Sequence, residues 1–229
     1  MYIDLVSVLV VAAHPDDEVL GCGGAIARHT QRGEQVCVCF LADGVSSRAP
    51  GSNHTIELQR RRSAALAAAA VLGVAQVRFG DLPDNRMDSL SMLTISQAVE
   101  SHVNEFEPSI VYTHFSGDLN VDHRLTHEAV MTACRPQPSS RVVTLLTFET
   151  ASSTEWRAPS ATMAFQPDWF IDITETLQLK IEALLAYSDE LRPWPHARSI
   201  DAVTHLAHWR GATVGRGAAE AFALVRHVE

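Results

Sequence analysis

The chain has 229 residues, 46% hydrophobic and 20% charged, an ordinary globular composition with enough apolar residues for a sizeable core. A formal net charge of −9 argues against nonspecific binding to nucleic acid or anionic membranes. No apolar run reaches the roughly 20 residues that span a bilayer, and Asp4 stands where a signal peptide carries Lys or Arg, so a cytoplasmic location is expected.

Val6 to Ala13 reads as a buried first strand because it is a continuous apolar, β-branched run. His14-Pro15-Asp16-Asp17-Glu18 follows it, then Gly21-Cys22-Gly23-Gly24 and a helix from Gly24 to Gln31 that Gly33 ends. Gln35 to Leu41 is a second strand. It contains Cys37 and Cys39, which share one face. These two, Cys22 and Cys134 form no CxxC pair and are expected to be buried, reduced thiols. Val45 to Asn53 is loop by composition, and Thr55 can cap a long Ala-rich helix from Ile56 to Leu72. Ala75 to Phe79 is a third strand, followed by an acidic loop, 80–88, and a helix from Ser89 to about Glu105.

Ser109 to Thr113 is a fourth strand. His114 to His127 then carries Asp118, Asn120, Asp122 and His123 into a helix that runs to about Cys134. Val142 to Phe148 is a fifth strand, and Glu149 to Pro167 has no regular pattern. Trp169 to Ile173 is a short strand, and Thr174 caps a helix to Tyr187. Arg192-Pro193-Trp194-Pro195-His196 is a rigid turn, Ser199 caps a helix to about Arg210, and Ala221 to His227 is a last strand. Strand–helix alternation through residue 134 implies an α/β, Rossmann-like doubly wound, mostly parallel sheet with helices on both faces. No linker or repeat interrupts 1–229, so one domain is expected. The tail after about residue 150 is expected to add loops and helices that cover the sheet.

Two distant segments, 14–18 and 114–127, thus carry His and Asp at the carboxyl ends of strands, where open α/β sheets bind ligands. A catalytic zinc takes three protein ligands and leaves one position for water. His14, Asp17 and His123 can supply those three, with His114 and His127 as rivals. Asp16 is left over as a general base, and Asp122, which adjoins His123, can orient that ligand imidazole from behind. Two nitrogens and a carboxylate also suit iron or cobalt.

The His14-Pro15-Asp16-Asp17-Glu18 motif after an apolar strand, with Asp122-His123 opening a later helix, resembles the LmbE-like, or PIG-L, family of zinc-dependent de-N-acetylases. Residues 6–134 carry the resemblance best, including Leu72-Gly73-Val74 and Leu82-Pro83-Asp84. It implies zinc on His14, Asp17 and His123, and Asp16 as general base. It also implies Arg61 as a substrate-holding arginine (Arg60 or Arg62 if the register slips) and Asp84 as an acid that binds sugar hydroxyls. Members are often oligomeric, so a homo-oligomer is one expectation. Where many members have His-Pro-Asp-His, this chain has Asn120-Val121-Asp122-His123, and Asp118 stands where some have Tyr. Either Asn120 donates to the developing oxyanion or another histidine does, with His196 the candidate from the tail.

The implied activity is hydrolysis of an acetamide on an amino sugar or sugar conjugate, with loops 43–55, 81–88 and 150–168 setting specificity. An amidase for a thiol conjugate or another small amide is an alternative. A nucleotide-binding module is disfavoured because the glycines lack G-x-G-x-x-G spacing and the acids at 16–18 repel pyrophosphate. A metal-binding protein without turnover is the remaining alternative.

Overall fold

The structure, a computed structural model, describes residues 6–47, 53–158, 160 and 163–229. Asp4 and parts of the loops 43–55 and 150–168 lie outside the described residues. The apolar runs form strands Ser7–Ala12 (β1) and Gln35–Ala42 (β2), both covered on two faces, as near-continuous hydrophobic strands must be. Gln76–Leu82 (β3), Ile110–His114 (β4) and Thr144–Phe148 (β5) run parallel to them.

Helix Asp17–Gln31 (α1) starts earlier than the pattern implied and is broken at Cys22, whose backbone is non-helical. The break leaves backbone groups without helical partners, and the tail supplies them. Lys180 Nζ donates to the Leu20 carbonyl at 2.9 Å, while the Glu220 carboxylate accepts from the amides of Gly24 and Ala25 at 2.9 and 2.7 Å. Lys180 and Glu220 also pair with each other at 2.6 Å. Helix His54–Val71 (α2) is capped by Asn53 rather than Thr55, and Met92–Phe106 (α3) by Ser91 rather than Ser89. Val121–Ala133 (α4) is capped by Asn120. Leu177–Leu185 (α5) begins after Thr174, because that hydroxyl is engaged by Asp172 at 2.6 Å. Ser199 caps Ile200–Ala212 (α6), as its sequence implied.

The tail does more than cover the sheet. Trp169–Asp172 (β6) and Ala219–His227 (β7) extend it, with β7 antiparallel to both β5 and β6. The seven-stranded order is β3-β2-β1-β4-β5-β7-β6. Val8, Val10 and Ala12 pack with α1, α2, α5 and Val203 of α6 on one face, while Leu9 and Val11 pack with α3 and α4 on the other. Connections leave β1 toward β2 on one side and arrive at β4 on the other. The carboxyl ends of β1 and β4 therefore flank the crevice at which such sheets bind ligands. Among the described residues, no helix is long and apolar enough to cross a membrane.

Candidate active site

β1 ends just before His14, and Pro15 turns the chain into α1. Asp16 sits at the helix N-terminus with φ 124°, a strained value for a residue with a side chain. Its amide donates to Oε2 of Glu18 at 3.0 Å, and the Glu18 carboxyl is held in turn by the Tyr187 hydroxyl at 2.6 Å. Burial pushes Glu18 up to about 8. The last acid of the motif is thus a brace for the turn, a role its place in the sequence did not reveal.

β4 delivers His114, and the Asn120 cap starts α4 so that Asp122 and His123 occupy its buried first turn. Because β1 and β4 are neighbours, the two segments meet. Nδ1 of His14 and Oδ2 of Asp17 are 3.2 Å apart, Oδ2 of Asp17 and Nε2 of His123 are 3.3 Å apart, and the two imidazole nitrogens are 3.3 Å apart. Donors around a tetrahedral zinc at about 2.0–2.1 Å lie about 3.3 Å from one another, so the triangle has the size of a zinc site's open face. The other carboxylate oxygen of Asp17, Oδ1, is buried without a hydrogen-bond partner, which a cation would satisfy. Two imidazoles and one carboxylate are also a donor set that zinc accepts. These residues fit a divalent metal; the same atoms form one of the His/Asp groups able to hold one.

Each candidate ligand imidazole has a carboxylate behind it. Asp122 was expected to orient its neighbour His123. Instead its Oδ2 lies 3.0 Å from Nε2 of His14, and it also accepts from the amides of Asn85 and Met87 at 2.7 and 3.0 Å. The first turn of α4 aims Asp122 across the cleft while His123 points into it. Asp118 backs His123, with Oδ1 3.1 Å from Nδ1 in an ionic contact that falls short of hydrogen-bond geometry. Ser153 and Thr154 hold the Asp118 carboxylate from the other side. Asp84 joins Asp122 at Nε2 of His14, at 3.2 Å, and is bound by Ser47 and by Nδ2 of Asn85.

The charges follow from these contacts. Burial opposes every ionised form. Even so, His123 and His114 hold Asp17 well below the usual carboxylate range, and Asp122, Asp17 and Asp84 hold His14 well above the usual imidazole range. Against burial, Asp17 and Asp118 raise His123 to about 9. His14 and Ser47 bring Asp84 down to about 2, and His123, Ser153 and Thr154 do the same for Asp118. The rival ligands are otherwise engaged. His114 accepts from the Ala13 amide at 2.9 Å and stacks on His123, and burial with that neighbour lowers it to about 4. The His127 ring bonds the His114 carbonyl at 2.9 Å.

Asp16, next to Asp17 in the chain and close enough to feel its charge, is gripped by two arginines. Arg61 Nη2 donates to Oδ1 at 3.3 Å and Arg198 Nη1 to Oδ2 at 2.9 Å, while Glu190 pairs with Arg61. Burial holds Asp16 above the usual range even against these cations. Of the three candidate arginines on α2, Arg61 is the buried one; Arg60 is exposed and Arg62 lies over the Phe79 ring. Arg198 and Glu190 were not anticipated. Both lie in an irregular stretch, with no spacing to mark them.

The two oxyanion candidates differ in their surroundings. Asn120 uses its carbonyl to cap α4 and donates one amide hydrogen to Asn85 at 2.8 Å. The His196 ring accepts from the Arg198 amide at 3.0 Å and packs edge-on against Trp156. From that turn it is Arg198, two residues on, that reaches Asp16.

The fold and motifs have known counterparts. The family model described as GlcNAc-PI de-N-acetylase, PIG-L, matches residues 9–134. The uncharacterized deacetylase YaiS of Escherichia coli K12 is 30% identical over 183 residues, covering 77% of this chain and 88% of its own. The 4-oxalmesaconate hydratase of Pseudomonas putida KT2440 is 30% identical over 210 residues, 83% and 76% of the two chains. The crystal structure of N,N'-diacetylchitobiose deacetylase from Pyrococcus horikoshii superposes with a TM-score of 0.77 at 18% identity, over 97% of this chain and 84% of that one, and shows the same fold. With the model matched across both motif-bearing segments, this chain belongs to the PIG-L, LmbE-like family of de-N-acetylases.

Proposed function

We propose that this protein is a metal-dependent hydrolase that removes the N-acetyl group from an amino-sugar-containing substrate, releasing acetate. The observation that carries the reading is the triangle of His14 Nδ1, Asp17 Oδ2 and His123 Nε2, with Asp16, a further buried carboxylate, next to Asp17 in the chain. A zinc ion on that triangle would polarise an amide carbonyl and bring the pKa of water toward about 7. Asp16 takes the proton from the attacking water and returns it to the departing amine. Asn120, whose amide keeps one hydrogen after donating to Asn85, is assigned to the acyl oxygen, and His196 to the turn behind Arg198. Arg61 and Asp84 bond inward, to Asp16 and His14, so they act on those side chains more than on sugar hydroxyls.

The PIG-L description and the deacetylase relatives support an N-acetylglucosamine-type substrate. The hydratase relative favours a second reading, addition of water to a carbon–carbon double bond at the same site. Incubating zinc-loaded protein with N-acetylglucosamine, its nucleoside-diphosphate conjugate, N,N'-diacetylchitobiose, a thiol-conjugated acetamide and, separately, an unsaturated dicarboxylate tests the choice. Acetate and free amine in equal amounts from a sugar acetamide support the first reading. Turnover confined to an unsaturated dicarboxylate, with no acetate from any amide, replaces it with the second.

A further inference from the structure

We infer that Arg198 is a positioning residue for the reaction: together with Arg61 it fixes the carboxylate of Asp16 in the orientation that meets the water. The inference rests on the reading of Asp16 as the proton-transfer group and adds a residue from the far end of the chain.

The geometry gives each oxygen of Asp16 its own guanidinium. Arg61, from α2, takes Oδ1, and Arg198, from the turn before α6, takes Oδ2. Asp16 needs an external hold. It is 1% exposed and its φ of 124° is a conformation its own peptide does not favour, so neighbouring groups must over-determine it. The Glu18 brace fixes the Asp16 amide and leaves the carboxylate to rotate about its side-chain bonds.

Arg198 is built to be rigid. Its amide donates to Nδ1 of His196 and the next residue, Ser199, caps α6, so its backbone is held on both sides. Its Nε donates to the Ser152 hydroxyl at 2.6 Å, which orients the guanidinium plane. Glu190 lies 3.9 Å from Nη1 and also pairs with Arg61, so one carboxylate registers the two cations against each other. Ser152 precedes Ser153 and Thr154, the two residues that hold Asp118 behind His123. One loop of the tail thus sets both the base and a ligand imidazole. A displacement of about 1 Å in such a group costs on the order of 100-fold in rate.

The Arg198 side chain is 22% exposed, enough for a small cation to enter if it is truncated. The experiment compares wild type, Arg198→Ala, Arg198→Lys and Asp16→Asn for zinc content, melting temperature and acetate release from N-acetylglucosamine and N,N'-diacetylchitobiose. Sub-denaturing guanidinium chloride is then added to Arg198→Ala, and crystal structures of wild type and Arg198→Ala are determined. Arg198→Ala is expected to keep its zinc and to lose about 100-fold in kcat with KM little changed. Arg198→Lys should lie between, and guanidinium should restore Arg198→Ala. In the crystals, the Asp16 carboxylate should leave its wild-type rotamer when Arg198 is removed. A rise in KM alone, no rescue by guanidinium in a folded variant, or an unmoved Asp16 rotamer overturns the inference. An active Asp16→Asn removes the reading of Asp16 itself. An inactive Asp16→Asn beside a fully active Arg198→Ala removes only the role of Arg198.

Discussion

Nε2 of His14 lies 3.0 Å from Oδ2 of Asp122, across 108 residues of sequence and from the opposite wall of the cleft. The contact decides which nitrogen of His14 a metal would meet, because an imidazole with Nε2–H held by a carboxylate presents Nδ1 as the free donor. Replacing Asp122 by Asn should lower zinc affinity about 10- to 100-fold, the usual cost of losing such a partner. Competition against a chromogenic chelator measures it. An unchanged affinity would show that the carboxylate of Asp84, 3.2 Å from the same nitrogen, suffices alone.

Metal removal should act on stability as well as activity. A cation that binds only the folded state contributes about 2.7 kcal/mol at a free concentration of 100 times Kd. Chelated protein should melt at a lower temperature and release no acetate, and added zinc should restore both. A melting temperature indifferent to chelator and to zinc would count against the metal triangle.

The Lys180–Glu220 pair bridges the break in α1, and both side chains are buried. Glu220→Ala leaves a buried ammonium unpaired and strips two amides of their acceptor. The expected loss is about 3–5 kcal/mol, read from urea unfolding. A cost below about 1 kcal/mol would mean that water replaces the carboxylate.

His29 provides a pH handle remote from the cleft. Burial lowers its pKa in the folded protein, outweighing the neighbouring carboxylate of Glu34. The unfolded chain therefore binds a proton more readily, so this contribution is fully present above about pH 6.5 and is lost as the pH falls below it. Melting temperature should drop between neutral and mildly acidic pH, and His29→Gln should flatten the slope. Equal slopes in the two proteins would remove His29 from the account.

All four cysteines are free and buried. Burial pushes the Cys37 and Cys134 thiols up to about 11 and raises Cys22 and Cys39 as well, so none is a thiolate at neutral pH. A thiol reagent should label the native protein slowly and the urea-unfolded protein at once. Rapid labelling of the native form would reveal an opening motion that the packed strands do not suggest.

The chain's own letters determined whatever depends on near neighbours. Continuous apolar runs specify strands covered on both faces, Pro15 specifies the turn after β1, and Ser199 specifies the start of α6. His14, Asp17 and His123 were legible as candidate ligands because each closely follows a strand or lies in the first turn of a helix. Where caps slipped, to Asn53 and Ser91, several suitable side chains stood within two residues and packing chose among them.

Only the tertiary structure decided which carboxylate stands behind which imidazole, and which cations grip Asp16. Asp122 is adjacent to His123 in sequence but serves His14, because a helix points successive side chains about 100° apart and strand order sets what lies across the gap. Arg198, Glu190, Lys180 and Glu220 were invisible for the same reason. Each has a partner set by the tail returning to the sheet, over separations that no local periodicity records.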